Sequence, residues 1–278
     1  MTPEESLHRI PEFSEAVIVR QLSVGPVSDG FLVEHAGSQY VLRIDRPIAT
    51  TLGLDRDAEA TIAAAMGEQG IGPRLKFADP GAGVLLTGYL PGRSWSVSDI
   101  SRPENLRRLA GLLKRLHGTQ AVGKPFALRS SLTHYVGLVG TAEAQQMAGE
   151  ADILLRRLSA DESRVCLCHN DLTSANILDS QSLHLIDWEY AAIGDPCFDL
   201  ATVIQHHGLN EEQAEALLTA YQGPVSDEDR HHLARYGRLY DRVWALWLLA
   251  LACSTDLDSE QAEQLATVRS RIAQGPLL

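Results

Sequence analysis

Two acidic side chains and one amide are spaced in the second half of the chain as phosphoryl transfer requires. The segments His169-Asn-Asp-Leu-Thr-Ser-Ala-Asn176 and Leu183-His-Leu-Ile-Asp-Trp-Glu-Tyr190 contain Asp171, Asn176 and Asp187. In such a reaction a carboxylate aims the acceptor hydroxyl and takes its proton, while hard oxygen ligands hold Mg2+ beside the phosphates. Asp171 follows a predicted strand, and a tight hairpin over residues 178–183 would return Asp187 to Asn176. The pattern therefore predicts that three oxygen-bearing side chains converge on one site.

The elements that must hold these residues form two groups along the chain. Apolar, partly alternating segments separated by turn residues predict a small antiparallel sheet with one helix before residue 90. The predicted strands are Ala16–Leu22, Gly30–Glu34, Tyr40–Ile44, Pro73–Ala78 and Gly83–Thr87, and the helix is Leu54–Met66. The later pattern is mainly helical. Its predicted helices are Arg102–His117, two within Leu132–Ser159, Asn210–Tyr221, Ser226–Cys253 and Ser259–Ala273, and its strands are Arg164–Cys168, Asn176–Leu178 and Leu183–Ile186.

Composition and charge restrict the class of partner. The 278 residues carry a formal net charge of -12, which argues against nucleic acid or an anionic membrane as the main partner. The most apolar run, Val243–Cys253, is too short to span a bilayer, and the N-terminus lacks a basic segment followed by an apolar core. We therefore expect a cytoplasmic protein. Cys166 and Cys168 are expected to point to opposite faces of a strand, as free thiols rather than zinc ligands.

The spacing around Asp171 resembles a known family. His-x-Asp, with Asn five residues after the Asp and then a strand ending in Ile186-Asp187, is similar to the catalytic and metal loops of the protein-kinase-like fold. With Gly194-Asp-Pro-Cys-Phe-Asp-Leu-Ala201 behind it, Ile186-Asp-Trp-Glu-Tyr190 resembles the choline kinase, thiamine kinase and aminoglycoside phosphotransferase superfamily. The resemblance implies an α+β, two-lobed fold, with an N-terminal nucleotide-binding lobe over residues 1–90 and a catalytic and substrate-binding lobe over residues 91–278.

The same resemblance assigns roles to individual residues. It implies that Asp171 is the catalytic base or aligner and that Asn176 and Asp187 are Mg2+ ligands. His169 and Asp199 would brace the catalytic loop. Taken alone, His169 is equally an ordinary loop histidine.

The implied nucleotide site lies in the first lobe. In this fold a basic residue on the third strand holds the inner phosphates of ATP and pairs with a glutamate of the next helix, which here selects Arg43 and Glu59. A surface salt bridge is the alternative reading of that pair. The glycine-rich loop is degenerate: amides of Ser28 and Asp29 would cover the phosphates, or this segment is a plain strand connection. Adenine would stack against the segment from Thr87 to Leu90, which includes Tyr89.

The implied acceptor site lies in the C-terminal helices. Tyr240, Trp244 and Trp247 are spaced by four and three residues, so they share one helix face. They are either an aromatic stripe of the core or, as in choline kinases, part of an enclosure for a positive nitrogen that also includes Tyr190. Glu189 has three readings: contact with metal-bound water, contact with a cationic substrate, or simple solvation.

Several functions stay open on the sequence alone. A cationic alcohol such as choline or thiamine is the favoured acceptor, and a neutral or amino-sugar acceptor is the alternative. A non-catalytic kinase-like ligand-binding module is a second class, although Asp171, Asn176 and Asp187 are all retained. A zinc hydrolase using His169 and Asp171 lacks a second histidine at ligand spacing. The oligomeric state has no signal in the sequence.

Overall fold

A computed structural model describes residues 1–158 and 165–275 of the chain. The strands are β1 Val17–Val24, β2 Ser28–His35, β3 Ser38–Asp45, β4 Leu75–Asp79, β5 Val84–Gly88, β6 Arg93–Ser94, β7 Cys166–Cys168, β8 Ile177–Asp179, β9 Leu183–Leu185 and β10 Ala192–Gly194. The α-helices are α1 Pro3–His8, α2 Ile48–Thr51, α3 Arg56–Glu68, α4 Val97–Ile100, α5 Pro103–His117, α6 Leu128–Val139, α7 Ala142–Leu158, α8 Pro196–His206, α9 Glu211–Gln222, α10 Asp227–Ala252 and α11 Ser259–Gln274. Single-turn 3-10 helices span Pro11–Phe13 and Ser174–Asn176.

The chain divides into two compact units. Unit 1 comprises Met1–Ser94 and Asn176–Tyr190, and unit 2 comprises the described residues of Trp95–Ala175 and Ala191–Leu278. The segment from 176 to 190 therefore belongs with the N-terminal residues, whereas the predicted second lobe contained it. The assignment of nucleotide binding and catalysis to separate lobes stays a prediction.

Unit 1 is built around an antiparallel sheet in the order β1-β2-β3-β5-β4. Alternating apolar side chains of β2, β3 and β5 are buried, and they pack with Leu7, Ile10 and Phe13 of the N-terminal segment. Asp55 is the N-cap of helix α3, and its side chain accepts a hydrogen bond from the amide of Ala58 at 3.0 Å. A second, three-stranded sheet, β6-β8-β9, carries the segment that returns to unit 1.

Unit 2 is mainly helical, with the two-stranded sheet β10-β7. Its longest helix, α10, begins with a capping box in which the Ser226 side chain and Asp229 satisfy each other's backbone amides. Helix α8 begins at Asp195, whose carboxylate accepts from the amide of Cys197 at 2.8 Å, and Pro196 occupies its first turn.

The structure contains the predicted α+β elements, with end points that differ by a few residues, and several that the sequence did not predict. The unpredicted elements are α1, α2, α4, α8, β6, β10 and the two 3-10 helices. Most are short, which leaves little room for a periodic pattern, and α8 is buried on all sides, so its sequence has no polar face. The predicted helix end at Ser159, the predicted strand start at Arg164 and residues 276–278 lie outside the described residues.

The expectation for the cysteine pair is wrong in its geometry. The Sγ atoms of Cys166 and Cys168 lie 3.8 Å apart, because side chains alternate at every strand residue and residues two apart share a face. Both thiols are buried and free. Over the described ranges, the helices are all too short or too polar to cross a membrane.

Candidate active site

The hairpin β8–β9 brings Asn176 and Asp187 into the same part of unit 1. Ile177 pairs with Leu185, and the amide of Ile186 donates to the carbonyl of Asn176 at 3.0 Å. Asn176 is buried, and the Asp187 side chain is 32% exposed. Strand pairing that is local in sequence therefore places an amide and a carboxylate at the open end of one hairpin.

Arg43, near the end of β3, contacts two acidic residues. Its guanidinium NH1 and NH2 groups donate to both oxygens of Glu59 on α3, the NH2 bond being 2.6 Å, and NH1 also donates to Asp187 Oδ1 at 2.9 Å. The Glu59 side chain is only 1% exposed, which excludes the surface salt bridge as a description of this pair. Arg43 thus joins the sheet, helix α3 and the hairpin that carries Asp187.

A second arginine, Arg56, extends this ion-pair cluster. Its guanidinium binds both oxygens of Asp45 at 2.7 and 2.8 Å, and its NH1 donates to Glu59 at 2.8 Å and to Glu189 at 2.9 Å. We call these six side chains the arginine–carboxylate network: Arg43, Arg56, Asp45, Glu59, Asp187 and Glu189. Four carboxylates face two guanidinium groups, so the fully ionised network has two more negative than positive charges.

Burial and neighbouring charges shift the ionisation of the network. Burial lowers the pKa of Arg43, but the charges of Glu59 and Asp187 outweigh it and the pKa is raised. Burial raises the pKa of Glu59, but Arg43 and Arg56 reverse this effect and the pKa is lowered. Burial, followed by the charge of Asp187, raises the pKa of Glu189 to about 8. The buried ion pair of Glu189 with Arg56 rules out simple solvation of that carboxylate.

The oxygen donors of unit 1 fit a magnesium ion. Asn176 and Asp187 supply an amide and a carboxylate, which are hard ligands suited to Mg2+. Even with Glu189 protonated, three carboxylates face two guanidinium groups in the arginine–carboxylate network, and a divalent cation would offset the remaining negative charge. Donor chemistry and charge therefore agree with the magnesium site predicted from the sequence.

In unit 2, Asp199 holds the backbone immediately before Asp171. Its Oδ2 accepts from the amide of His169 at 2.9 Å, and its Oδ1 accepts from the amide of Asn170 at 2.7 Å. The Asp199 side chain is fully buried, and His117 Nε2 lies 3.0 Å from Oδ2. Three polar contacts on one buried carboxylate thus restrict the loop from which Asp171 projects.

Each unit has a left-handed backbone residue at or next to a candidate site residue. Among the described residues, the non-glycine residues with positive φ are Ala36 in a hairpin turn, Asn170 at 64° and Asp187 at 65°. Such a conformation costs on the order of 1–3 kcal/mol and persists where the surrounding structure over-determines it. The candidate metal ligand Asp187 therefore lies at a strained position itself, and Asn170 directly precedes Asp171.

Helix α10 presents a row of aromatic rings in unit 2. The rings of Tyr240 and Trp244 are stacked with centroids 6.5 Å apart, and those of Trp244 and Trp247 with centroids 5.0 Å apart. Tyr240 is buried, as a core stripe requires, whereas Trp244 and Trp247 are half-buried and keep exposed ring surface. Tyr190, the fourth predicted member, is half-buried at the end of the unit 1 segment.

Two adjacent histidines connect this aromatic row to the loop that carries Asp171. The phenol of Tyr240 lies 2.9 Å from His206 Nδ1, and His207 Nε2 lies 3.2 Å from the carbonyl of Leu172. Burial, followed by the charge of Asp171, raises the pKa of the Tyr240 phenol. Asp171 and the phenol of Tyr240 therefore interact electrostatically within the same unit.

The residues predicted to contact the nucleotide occupy ordinary strand positions. Ser28 and Asp29 begin β2 and pair with β3, and the Asp29 carboxylate binds Arg46 at 2.8 and 3.0 Å. This pairing is compatible with both alternatives that the sequence left open, a phosphate-covering segment and a plain strand connection. Thr87 lies in β5, and the amide of Tyr89 donates to the carbonyl of Gln39 in β3 at 3.0 Å. Contact of these residues with ATP stays a prediction.

Sequence reasoning did not identify Arg56, Asp45, His117, His206 or His207. Each acts through a partner far away in sequence: Arg56 reaches Glu189, and His117 reaches Asp199. The one available signal for these residues was the mixture of acidic and basic residues around Arg56, which lies three residues before Glu59.

Comparison with known proteins identifies relatives of nearly the whole chain. A model of the "Phosphotransferase enzyme family" matches residues 18–236. Protein LicA of Haemophilus influenzae is 28% identical over 269 residues, which cover 88% of this chain and 76% of LicA. The thiamine kinase of Shigella boydii is 30% identical over 260 residues, covering 90% of this chain and 85% of that enzyme. The crystal structure of a choline/ethanolamine kinase family protein from Mesorhizobium loti has a TM-score of 0.79 and 26% identity, covering 98% of this chain and 94% of that one.

Proposed function

Since this chain belongs to the phosphotransferase enzyme family, we propose that it transfers the γ-phosphate of ATP to a hydroxyl group of a small cationic alcohol. The family match covers most of the chain, and both a thiamine kinase and a choline/ethanolamine kinase family protein align with it over most of their lengths. Choline and thiamine are the two acceptor types that the site chemistry favours.

The arrangement around Asp171 carries this proposal. Asp199 holds the two amides before it, and the charge of Asp171 reaches the phenol of Tyr240 in the aromatic row. A carboxylate on a fixed loop is suited to orient an acceptor hydroxyl and to take its proton. Half-buried rings of Trp244 and Trp247 are suited to attract the positive nitrogen of the same acceptor, by about 0.5–2 kcal/mol per ring.

The residues of each unit have a separate task in the proposed reaction. Arg43 would hold phosphate oxygens through its planar guanidinium, and Glu59 fixes the position of that group. Asn176 and Asp187 would hold Mg2+, which when bound neutralises charge that develops on the transferred phosphate. Asp171 would receive the proton of the acceptor hydroxyl as the new O–P bond forms. Glu189, paired with Arg56, would act on Asp187 and on phosphate-bound charge rather than on the acceptor.

The test is an ADP-release assay with Mg2+ and ATP over matched acceptors. The panel contains choline, its uncharged carbon isostere 3,3-dimethylbutan-1-ol, thiamine, ethanolamine and an amino sugar. We expect turnover with choline or thiamine. If choline is the acceptor, kcat/KM should exceed that of the isostere by about 2–30-fold for each ring that contacts the cation. Equal rates for choline and its isostere, or preference for the amino sugar, would contradict a cationic acceptor, and ATP binding without any turnover would indicate a non-catalytic module.

A further inference from the structure

A second group of potential metal ligands lies behind the catalytic loop, in unit 2. It consists of His117 at the end of α5 and Cys166 and Cys168 on β7, whose ligand atoms all lie within 4.8 Å of one another. The donors are one imidazole and two thiols, unlike the oxygen donors of Asn176 and Asp187. Soft donors of this kind select Zn2+ and related cations over Mg2+.

The spacing of the two thiols matches a tetrahedral metal site. Zn–S bonds of about 2.3 Å at tetrahedral angles place two sulfur atoms about 3.8 Å apart. The Sγ atoms of Cys166 and Cys168 lie 3.8 Å apart in this structure. Both residues are on one face of a short strand that pairs with β10, so their thiols lie on the same side of it.

The hydrogen bonds of His117 determine which ring nitrogen has the lone pair that a metal would use. A carboxylate only accepts, so the Nε2–H of His117 donates to Asp199 Oδ2 over the 3.0 Å contact. Nδ1 then has the lone pair and accepts from the hydroxyl of Tyr221 at 2.8 Å. A carboxylate that orients a histidine in this way is the usual outer-shell arrangement of zinc-binding histidines.

Burial agrees with such a site. Cys168 is fully buried and Cys166 is 8% exposed, so a bound cation would be shielded from solvent. The hydroxyl of Tyr221 would exchange its hydrogen bond to Nδ1 for a contact with solvent or with the bound cation.

We propose that His117, Cys166 and Cys168 form a binding site for one thiophilic divalent cation of the Zn2+ class, with water in the fourth position. Asp199 contacts His117 and also holds the amides of His169 and Asn170. A bound cation would therefore restrict, through His117 and Asp199, the backbone segment that directly precedes Asp171. This role is separate from the magnesium chemistry, and the cation is not a reactant.

The experiment is a titration of chelator-treated full-length protein with Cd2+, followed by its thiolate charge-transfer absorption, and with Zn2+, followed by calorimetry. We expect one high-affinity cation per chain, with an absorption intensity of two Cd–S bonds and an increase in Tm. Cys166→Ser and Cys168→Ser should each weaken Zn2+ binding at least tenfold. The matched control is Cys253→Ser, which removes an exposed thiol and should bind as the wild type does.

Two further measurements keep the test decisive. If a β7 variant does not fold, wild-type protein alkylated at exposed Cys253 before titration should still show the two-thiolate band. Wild-type affinity in both folded β7 variants would overturn the proposal. So would loss of binding in Cys197→Ser, because Cys197 belongs to a different group with Asp195 and His232. Binding that disappears with Cys253 would identify adventitious coordination by a surface thiol.

Discussion

Arg56 and Arg230 form ion pairs of the same length in opposite surroundings, and replacing each arginine by glutamine isolates the effect of burial. The Arg56 side chain is 9% exposed, and its partners Asp45, Glu59 and Glu189 are 12%, 1% and 8% exposed. Arg230 is 45% exposed, and its partners Glu215 and Asp227 are 42% and 91% exposed. The shortest contact is 2.7 Å in both clusters, so distance alone predicts equal effects.

Burial predicts unequal effects. Removing one partner of a buried ion pair leaves an uncompensated charge and costs about 3–5 kcal/mol, whereas solvent screens an exposed pair so that it has little effect on stability. At roughly 2–4 °C per kcal/mol for a chain of this size, Arg56→Gln should lower Tm by roughly 6–20 °C, whereas Arg230→Gln should leave Tm nearly unchanged. Arg56→Lys should restore part of the loss, because a single ammonium cannot bind three carboxylates at once.

The assay is thermal unfolding followed by far-UV circular dichroism at one pH and ionic strength for all four proteins. Urea unfolding of the same samples gives the free energy of unfolding independently. If Arg230→Gln is as destabilising as Arg56→Gln, burial does not govern the energetics of the arginine–carboxylate network and our reasoning is refuted. An Arg56→Gln protein with wild-type Tm would also refute it.

Three other predictions concern unit 2. Replacing Trp244 or Trp247 by alanine should raise KM for a cationic acceptor by about 2–30-fold with little change in kcat, measured by ADP release. Replacing Asp199 by alanine should lower kcat by roughly 10–100-fold, measured in the same assay, because the loop before Asp171, the proposed proton acceptor, loses its support. Burial lowers the pKa of His206 to about 3 and of His207 to about 4. Between these values and the ordinary histidine pKa of about 6.5, the two rings are protonated in the unfolded chain but not in the folded one. Stability should therefore fall as pH decreases from about 7 to 5, and Tm measured across that range should vary less when both histidines are replaced by asparagine.

Each of these has a clear opposite outcome. Unchanged KM in both tryptophan variants would assign those rings to the core alone. Wild-type kcat without Asp199 would mean that the loop is held by other contacts. A pH dependence of Tm that is identical with and without His206 and His207 would show that the two rings are not the groups that titrate on unfolding.

The parts of the site that are local in sequence could be predicted, and the parts that depend on distant pairs could not. Asn176 and Asp187 are joined by one hairpin, so their proximity follows from strand patterns a few residues long. The ion pair of Arg56 with Glu189 spans 133 residues, and the contact of His117 with Asp199 spans 82 residues. Neither pair has a periodic signal, because only the tertiary fold brings its members together.

The errors in the sequence reasoning also have physical causes. Cys166 and Cys168 were expected on opposite faces of the strand, as if they were consecutive residues. They are two residues apart, and strand alternation places such residues on the same face. Helix α8 was missed because a helix that is buried on all sides has no polar face to produce an amphipathic pattern. Arg43 and Glu59 were selected only through the family resemblance, since an Arg-x-Asp sequence on a strand does not by itself indicate a nucleotide site.

The most direct measurement of the central claim compares phosphate transfer by the wild type and by Asp171→Asn, with Mg2+, ATP and the best acceptor of the panel. Nucleotide affinity is measured by calorimetry on the same two proteins. We predict that the variant binds Mg·ATP with wild-type affinity while kcat falls by about 10²–10⁴-fold, the contribution of a positioned proton acceptor. Near-normal turnover by Asp171→Asn would contradict the assignment of this carboxylate, and with it the account of the site.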